Sequence, residues 1–223
     1  MTQNPNEMRL VIAWPSTGQC RGEFAYSLAT LTSRVAAIGI PTLPEKTILV
    51  TMDTVASSSI HTNREQLVRR ALDADRTHLL FLDEDMTFHP AVLDSVAGRR
   101  QPVVCTNYLI KSDAPDFVAV TLAGKRLPTT EQSTGLVPVA YSGFGVSLFD
   151  LDVFRKTAQP WFLPEFNAEG STYTTEDNPC YRRIREAGFQ VYVDQDASKL
   201  VGHCGVKCWR WDELKKETVH ADK

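Results

Sequence analysis

Apolar segments alternate with helical segments through the first 106 residues, and this alternation restricts the fold more than any other feature. The apolar segments cover residues 8–14, 46–52, 77–82 and 102–106. They are continuously apolar, which is typical of parallel strands that are buried on both faces. The segments between them have the apolar spacing of helices that pack on a sheet. We therefore predict an α/β fold with a Rossmann-like, mostly parallel sheet.

The second half of the chain follows a less regular pattern. Residues 116–122, 136–150 and 189–194 are predicted strands, 160–173 a long aromatic loop, about 179–187 a helix and 210–219 a short tail helix. Loops of this length are often functional. We therefore predict an irregular, mixed C-terminal half.

The composition excludes some classes of function. The chain has 223 residues, 43% of them hydrophobic, and a net charge of -3. This length suits one domain, and the charge gives no global basic field for nucleic acid or membrane surfaces. Local basic clusters remain at residues 182–185 and 207–211. No apolar run approaches the roughly 18 residues that a membrane span needs, and the polar N-terminus lacks an apolar signal core. We expect a cytoplasmic protein without a membrane span.

Three acids, Asp83, Glu84 and Asp85, directly follow the third apolar segment. Clustered carboxylates repel each other within a strand, whereas the carboxyl end of a strand is where α/β sheets bind ligands. Mg²⁺ and Mn²⁺ are often held there by one or two carboxylates plus substrate phosphates. On extended backbone, Asp83 and Asp85 would face the same side, with Glu84 pointing away. The alternative for this motif alone is a solvated loop or a helix cap.

Two later motifs accompany “FLDED” at residues 81–85. One is the pair Glu176-Asp177, ahead of a helix containing “RR” and “AG”, and the other is His203 within “GHCG”. Together the three motifs resemble those of nucleotide-sugar glycosyltransferases with the GT-A fold, closest to the family 2-like and phage-type members. They occur in the order typical of that group, and the resemblance covers essentially the whole chain.

The resemblance implies a single GT-A-like domain over residues 1–223, with a nucleotide-binding half at 1–106 and an acceptor-binding and catalytic half at 107–223. It implies an enzyme that moves a sugar from a UDP- or GDP-sugar to an acceptor hydroxyl. We expect inversion at the anomeric carbon, with retention as the alternative. The sequence leaves the acceptor open: a glycan, a lipid, a protein or a modified base in phage DNA.

The same resemblance assigns a metal site to Asp83, Asp85 and His203. Asp85 would bind the metal and, through it, the donor diphosphate, while Asp83 would also lie near the ribose and donor sugar. Imidazole suits Mn²⁺ better than Mg²⁺, so we expect manganese, with magnesium as the alternative. A histidine held by a backbone carbonyl is the other interpretation of His203.

Three further segments resemble donor-binding parts of the family: the first loop, the start of the second helix and the “SGFG” segment. A helix N-terminus attracts phosphate, and arginine adds a fixed cation. Thr62 is the predicted N-cap of that helix, in a capping box with Glu65. The donor-binding residues implied are Pro15, Ser16, Thr17, Asn63, Arg64 and Gly143.

Catalysis is assigned to the acidic pair of the second motif. By its resemblance to the family pair, Asp177 is the general base, and Glu176 orients the donor or acceptor. Because Pro179 disfavours the α region for the residue before it, we predict Asn178 as the N-cap. Both acids would then precede the helix.

Trp161 and Phe162, in the long aromatic loop, are candidates for acceptor binding. Aromatic rings stack well on sugar rings, and they equally form local cores under loops. The sequence leaves both interpretations open.

Two other functions fit parts of the sequence. “FLDEDMT” also fits the first motif of haloacid-dehalogenase-like phosphatases, with Asp83 as nucleophile, Asp85 as general acid, Thr106 as second motif and Asp194 or Asp196 as late acid. That interpretation gives no role to the two later motifs. A third interpretation is a non-catalytic nucleotide or sugar binder, which predicts saturable UDP binding without turnover.

Overall fold

One large sheet with helices on both faces forms the body of the protein. A computed structural model describes residues 6–205 and 208–213. The first half has the elements β1 (Glu7–Ser16), α1 (Gly22–Ile38), β2 (Thr47–Ala56), α2 (Ile60–Asp73), β3 (His78–Leu82), β4 (Met86–Phe88), α3 (Val92–Gly98) and β5 (Val103–Cys105). The second half has β6 (Val120–Thr121), β7 (Leu136–Tyr141), β8 (Val146–Asp150), α4 (Asp152–Lys156), β9 (Phe166–Asn167), β10 (Thr172–Tyr173), α5 (Asp177–Glu186), β11 (Val191–Asp194), α6 (Gln195–Ser198), β12 (Val201–Cys204) and β13 (Cys208–Arg210).

The strand order of the large sheet is β2-β1-β3-β8-β5-β11-β7-β6. β1 pairs in parallel with β2 and β3, and β5 pairs in parallel with β11. β8 runs antiparallel between β3 and β5, and β7 and β6 extend the sheet antiparallel. The predicted α/β fold with a mixed C-terminal half is confirmed. Because β8 of the second half lies between two strands of the first, both halves share one sheet.

The third strand shows why the apolar segments are continuous. Leu79 and Phe81 pack into the core layer that α2 and α5 cover, and Leu80 and Leu82 pack into the layer under α1 and α3. All four side chains are fully buried. Burying a side chain of this size contributes about 1.5–3 kcal/mol, so β3 is a rigid base for the acids that follow it.

Two helices begin earlier than predicted. α2 begins at Ile60 with Ser59 as N-cap, so the Thr62 capping box was wrong, and Glu65 instead accepts the backbone N–H of Trp161 at 3.1 Å. α5 begins at Asp177 with Glu176 as N-cap. A proline is tolerated anywhere in a first turn, because those N–H groups have no partner within the helix.

A second, three-stranded sheet brings the end of the chain to the acids. β4, directly after Asp85, pairs antiparallel with β12, and β12 pairs with β13. His203 stands opposite Met86 in this register, and the N–H of Cys204 donates to Asp85 O at 2.7 Å. This pairing places the third sequence motif beside the first.

Two remaining predictions concern a helix at the C-terminus and the absence of a membrane span. Most of the predicted tail helix over 210–219 lies outside the described residues. Within residues 6–205 and 208–213, no helix has the length and apolarity needed to cross a membrane.

Candidate active site

A cleft of about 250 Å³ opens where β1 and β3 end. It brings together the predicted first-loop residues, Asn63, the two aspartates and His203, and adds Glu84, Tyr108 and the end of the loop before α2. The lining residues are Pro15, Ser16, Thr17, Ser57, Ser58, Ile60, Asn63, Asp83, Glu84, Asp85, Tyr108 and His203. Arg64 contacts the lining through Asp83, Gly143 contacts it through Tyr108, and Glu176 is linked to it through Arg64.

The three acids form a tight turn instead of an extended segment. The N–H of Met86 donates to Asp83 O at 3.0 Å, which closes the turn. As a result each carboxylate has a different set of partners, and Asp83 and Asp85 do not face one common cation as predicted.

Glu84, which was expected to point away, holds the first loop. Its carboxylate accepts Ser16 Oγ at 2.7 Å, Thr17 N at 2.9 Å and Thr17 Oγ1 at 2.6 Å. Asn63 adds a contact to the same loop, from Nδ2 to Ser16 O at 3.2 Å. The polar groups of the loop are therefore fixed before any ligand enters.

Asp85 and His203 converge at the mouth of the cleft. His203 Nδ1 lies 2.9 Å from Leu109 O, so this nitrogen carries a proton and Nε2 is directed to Asp85. Nε2 lies 3.4 Å from Asp85 Oδ2. Both atoms carry lone pairs, so a cation beside them would relieve their repulsion. A backbone carbonyl on Nδ1 is also the arrangement that orients metal-binding histidines.

Lys111, which no sequence motif marks, also binds Asp85 Oδ2, and its ammonium lies 3.2 Å from Cys204 O. Burial acts to raise the pKa of Asp85, but the hydrogen bonds and charges of His203 and Lys111 outweigh it and lower the pKa to about 2. Asp85 is therefore ionised at neutral pH.

Only two of the three residues predicted to form the metal site lie together. Asp85 and His203 meet, whereas Asp83 is directed to Arg64, and the described part of the chain contains no group of three His, Cys, Asp or Glu side chains that could hold a metal. Hard divalent ions are often held by only one or two protein ligands plus substrate phosphates. The pair Asp85 and His203, with its carbonyl-oriented imidazole, fits an ion of that kind.

Arg64 lies behind the acids and joins two of the sequence motifs. Its Nη2 donates to Asp83 Oδ1 at 2.7 Å, and its Nε donates to Glu176 Oε1 at 3.1 Å. The side chain is 2% exposed and its guanidinium lies over the ring of Phe144 at 4.7 Å. Burial lowers the pKa of Arg64, but the two carboxylates outweigh it and raise the pKa. Because α2 begins a turn earlier than predicted, Arg64 is not at the helix N-terminus and acts on the cleft through Asp83.

Asp177 is the first residue of α5 and is held through one oxygen. Thr175 Oγ1 and, at 3.0 Å, the N–H of Asn178 both donate to Oδ1. Burial raises the pKa of Asp177, and the Thr175 hydrogen bond offsets only part of this rise. A raised pKa is what a carboxylate needs to act as a base near neutral pH.

Gly143 supports the cleft through Tyr108. A Cβ on Gly143 would lie 2.0 Å from Tyr108 Oη, and the N–H of Gly145 donates to the same hydroxyl at 3.1 Å. The ring of Tyr108 in turn packs edge-on against His203 at 5.1 Å. A tyrosine of the chain therefore lies against Gly143, which the resemblance assigned to donor binding.

The aromatic rings that the long loop exposes are not the two that were predicted to bind an acceptor. Trp161 and Phe162 are 2% and 1% exposed, and the Trp161 indole donates to Thr157 O at 2.9 Å. Both rings belong to the core, so the local-core interpretation replaces acceptor stacking. Phe166 and Tyr173 are instead 58% and 69% exposed. They face each other across the β9–β10 hairpin, with ring centroids 5.4 Å apart.

The residues that a phosphatase would use have other partners. Thr106 is buried and its hydroxyl bonds Val146 O at 3.2 Å. Asp194 caps α6 and pairs with Arg99 at 2.9 Å, and Asp196 pairs with the same arginine at 2.5 Å. None of the three belongs to the cleft lining.

No protein-family model and no curated protein matches the chain. Among solved structures, A197 from STIV is similar over 88% of this chain and 85% of its own, at 19% identity and a TM-score of 0.57. A mutant Drosophila beta-galactosyltransferase in complex with manganese, UDP-Gal and xylobiose is similar over 89% of this chain and 71% of its own, at 15% identity and a TM-score of 0.45. A glycosyltransferase involved in glycosylation of the major capsid of PBCV-1 is similar over 68% of this chain and 69% of its own, at 12% identity and a TM-score of 0.33.

The likeness to A197 shows a shared fold and no more, because the identity is low. The other two likenesses are too distant to carry an argument about function. Glycosyltransferases are nevertheless among the structural neighbours of this mixed α/β domain.

Proposed function

We propose that the protein is a metal-dependent glycosyltransferase that moves a sugar from a nucleoside-diphosphate sugar to an acceptor hydroxyl. One observation carries the proposal: the first loop, Asn63, Asp83, Asp85 and His203 line a single cleft at the carboxyl ends of parallel strands. Open α/β sheets bind nucleotides at that position.

The donor, a UDP- or GDP-sugar, lies with its nucleoside against the first loop and its diphosphate toward Asp85. Glu84 fixes the loop through Ser16 and Thr17, so little ordering is needed on binding. Asp85 and His203 would hold Mn²⁺, or Mg²⁺, together with donor phosphate oxygens. When bound, the ion supplies positive charge for the leaving diphosphate.

Asp177 accepts the proton of the acceptor hydroxyl as the hydroxyl attacks the anomeric carbon. The attack comes from the face opposite the diphosphate, and direct displacement inverts the configuration. The burial that raises the pKa of Asp177 suits this role. Glu176 is bound to Arg64 and serves to hold the base and Asp83 in position.

The acceptor binds against the β9–β10 hairpin, where Phe166 and Tyr173 replace the buried Trp161 and Phe162. The exposure of both rings supports this assignment. Arg183 Nη2 donates to Glu165 at 2.8 Å, which links the hairpin to α5 and so to Asp177. The hydroxyl-bearing acceptor is a sugar or another stacking group, and a DNA acceptor stays a prediction.

A thermal-shift panel of nucleoside diphosphates and nucleotide sugars, with and without Mn²⁺, tests the donor. A ligand that binds the folded state raises the melting temperature. We expect stabilisation by UDP or GDP that EDTA removes or greatly reduces, followed by release of the diphosphate from the matching sugar donor when an acceptor is supplied. Hydrolysis of an aryl phosphate with Mg²⁺ would favour the phosphatase instead. Saturable nucleotide binding without turnover across an acceptor panel would favour the non-catalytic binder.

A further inference from the structure

Lys111 brings a cation to the carboxylate oxygen that faces His203. Its ammonium donates to Asp85 Oδ2 and, at 3.2 Å, to Cys204 O. His203 Nε2 lies 3.4 Å from the same Oδ2 atom. The ammonium therefore occupies the side of Asp85 that an ion held by Asp85 and His203 would use.

Gly205 leaves room for the Lys111 side chain. A Cβ on Gly205 would lie 2.9 Å from Lys111 Cδ and 2.7 Å from Trp209 Cζ3, so a larger residue there would displace one of these two side chains. The side chain is 29% exposed, which leaves the ammonium in reach of a ligand at the cleft mouth.

A second cation is anchored one residue further along. Arg21 Nη1 donates to Gly205 O at 2.7 Å, just as Lys111 donates to Cys204 O. Asp83, Glu84 and Asp85 already make the cleft acidic, so a diphosphate needs nearby cations before it can enter. The carbonyl groups of Cys204 and Gly205 hold two of them, Lys111 and Arg21.

We propose that Lys111 is the resident cation of the donor site, which neutralises Asp85 in the empty enzyme and turns to the donor diphosphate when a divalent ion takes Asp85. The inference rests on the proposed function, because it assumes a diphosphate donor. An ammonium and a divalent ion repel each other at one carboxylate oxygen, and lysine carries a compact charge on a flexible stem. Loss of Lys111 should therefore affect the ion and the nucleotide in opposite directions.

Three variants separate the charge of Lys111 from its packing. Lys111→Met keeps the stem and removes the charge, Lys111→Arg keeps a charge, and Lys125→Met is a matched control in the exposed turn after β6. Free Mn²⁺ is measured by electron paramagnetic resonance without nucleotide, and UDP and GDP are titrated calorimetrically at saturating Mn²⁺. We expect Lys111→Met to bind Mn²⁺ about threefold tighter or more and the nucleotide about tenfold weaker or more. Lys111→Arg and Lys125→Met should stay near the wild type.

Equal shifts of both affinities in one direction, or no shift in either, would overturn the role of Lys111. If the wild type and Lys111→Met bind the nucleotide equally tightly, the role of Lys111 is overturned and the proposed function stays intact. Absence of UDP and GDP binding in the wild type at saturating Mn²⁺ would instead overturn the proposed function itself.

Discussion

The two acidic motifs of the chain contact the same arginine, although the first contains three acids and the second contains two. In the first, Arg64 binds Asp83 and leaves Asp85 at the cleft mouth; in the second, it binds Glu176 and leaves Asp177. One buried arginine thus takes one acid from each motif. Asp85 instead binds Lys111, and Asp177 binds Thr175 and the N–H of Asn178.

The acids that Arg64 leaves free differ from each other in their pKa. The pKa of Asp85 is lowered to about 2, because His203 and Lys111 outweigh its burial. The pKa of Asp177 is raised, chiefly by burial. The same residue type therefore suits a permanently charged ligand in one motif and a base in the other, and the motif letters alone do not distinguish these environments.

Removing Arg64 tests the comparison most severely. Arg64→Met leaves the partly buried Asp83 and Glu176 without their cation, which should cost about 3 kcal/mol of the free energy of unfolding. Denaturant unfolding measures this loss. Arg69→Met, on the same helix but with a side chain 56% exposed, is the control and should cost less than about 1 kcal/mol. If Arg64→Met fails to fold, Arg64→Lys should still be destabilised, because lysine cannot span both carboxylates.

Substitution in the second motif should separate chemistry from support. Asp177→Asn should lower kcat by at least about a hundredfold while donor affinity survives. Glu176→Gln should mainly lower the melting temperature, because it weakens the Arg64 contact. The test is to measure kcat, the donor KM and the melting temperature of both variants. A fully active Asp177→Asn beside an inactive Glu176→Gln would reverse the assignment.

In the first motif, substitution of Asp85 should mainly affect metal binding, and substitution of Asp83 should mainly affect stability. Asp85→Asn should weaken Mn²⁺-dependent UDP or GDP binding by at least about tenfold with little loss of stability, because it removes the charged ligand. Asp83→Asn should lower the melting temperature more than Asp85→Asn does and change Mn²⁺ affinity less. Calorimetric titrations with Mn²⁺ and in EDTA, beside thermal melts, measure both. Equal effects of the two variants on Mn²⁺ affinity would mean that Asp83 is a metal ligand after all.

The aromatic loop offers the same contrast between a buried and an exposed pair. Phe166→Ala and Tyr173→Ala should each raise the acceptor KM by about fivefold to tenfold, since a stacking contact is worth about 1 kcal/mol, and should leave the donor KM unchanged. Phe162→Ala should instead destabilise the protein by about 3–5 kcal/mol. Unchanged acceptor KM values in both hairpin variants would remove the hairpin from the acceptor site.

The smallest expected effect is a displacement of the pH profile. A base must be deprotonated to act, so activity should fall as pH falls through the pKa of Asp177. Because burial raises that pKa above its ordinary value of 3.8, the acid limb of the kcat/KM profile should lie above that value. Asp85, with its lowered pKa, should add no limb in the same range. A profile flat down to about pH 4 would contradict the environment of Asp177.

The sheet could be predicted because its signal is local and repeated. The continuous apolarity of residues 79–82 reports burial on two faces, and strand–helix alternation then dictates parallel pairing. The acids could be placed at the ligand-binding edge for the same reason. The sequence did not predict that each of the three acids has different partners. Those partners depend on the turn at residues 83–86 and on Arg64, which is distant in sequence.

The residues that were missed lack any local pattern. Lys111 reaches Asp85 from the segment between β5 and β6, and no spacing in the sequence encodes that contact. The start of α2 was misplaced because Ser59 and Thr62 are equally good cap residues, and packing decides between them. Trp161 and Phe162 have the composition of a binding platform, and only the tertiary structure puts them in the core.

The pairing of β4 with β12 also sets when the cleft comes into being. Asp85 is synthesised long before Cys204, whose N–H it accepts, so a nascent chain that has completed its first parallel strands still lacks the histidine and carbonyl at the mouth of the cleft. Domains that depend on contacts between such distant residues fold more slowly than domains with local contacts. A ligand that needs both Asp85 and His203 therefore recognises only molecules that have finished folding, and its binding measures the native fraction directly during refolding.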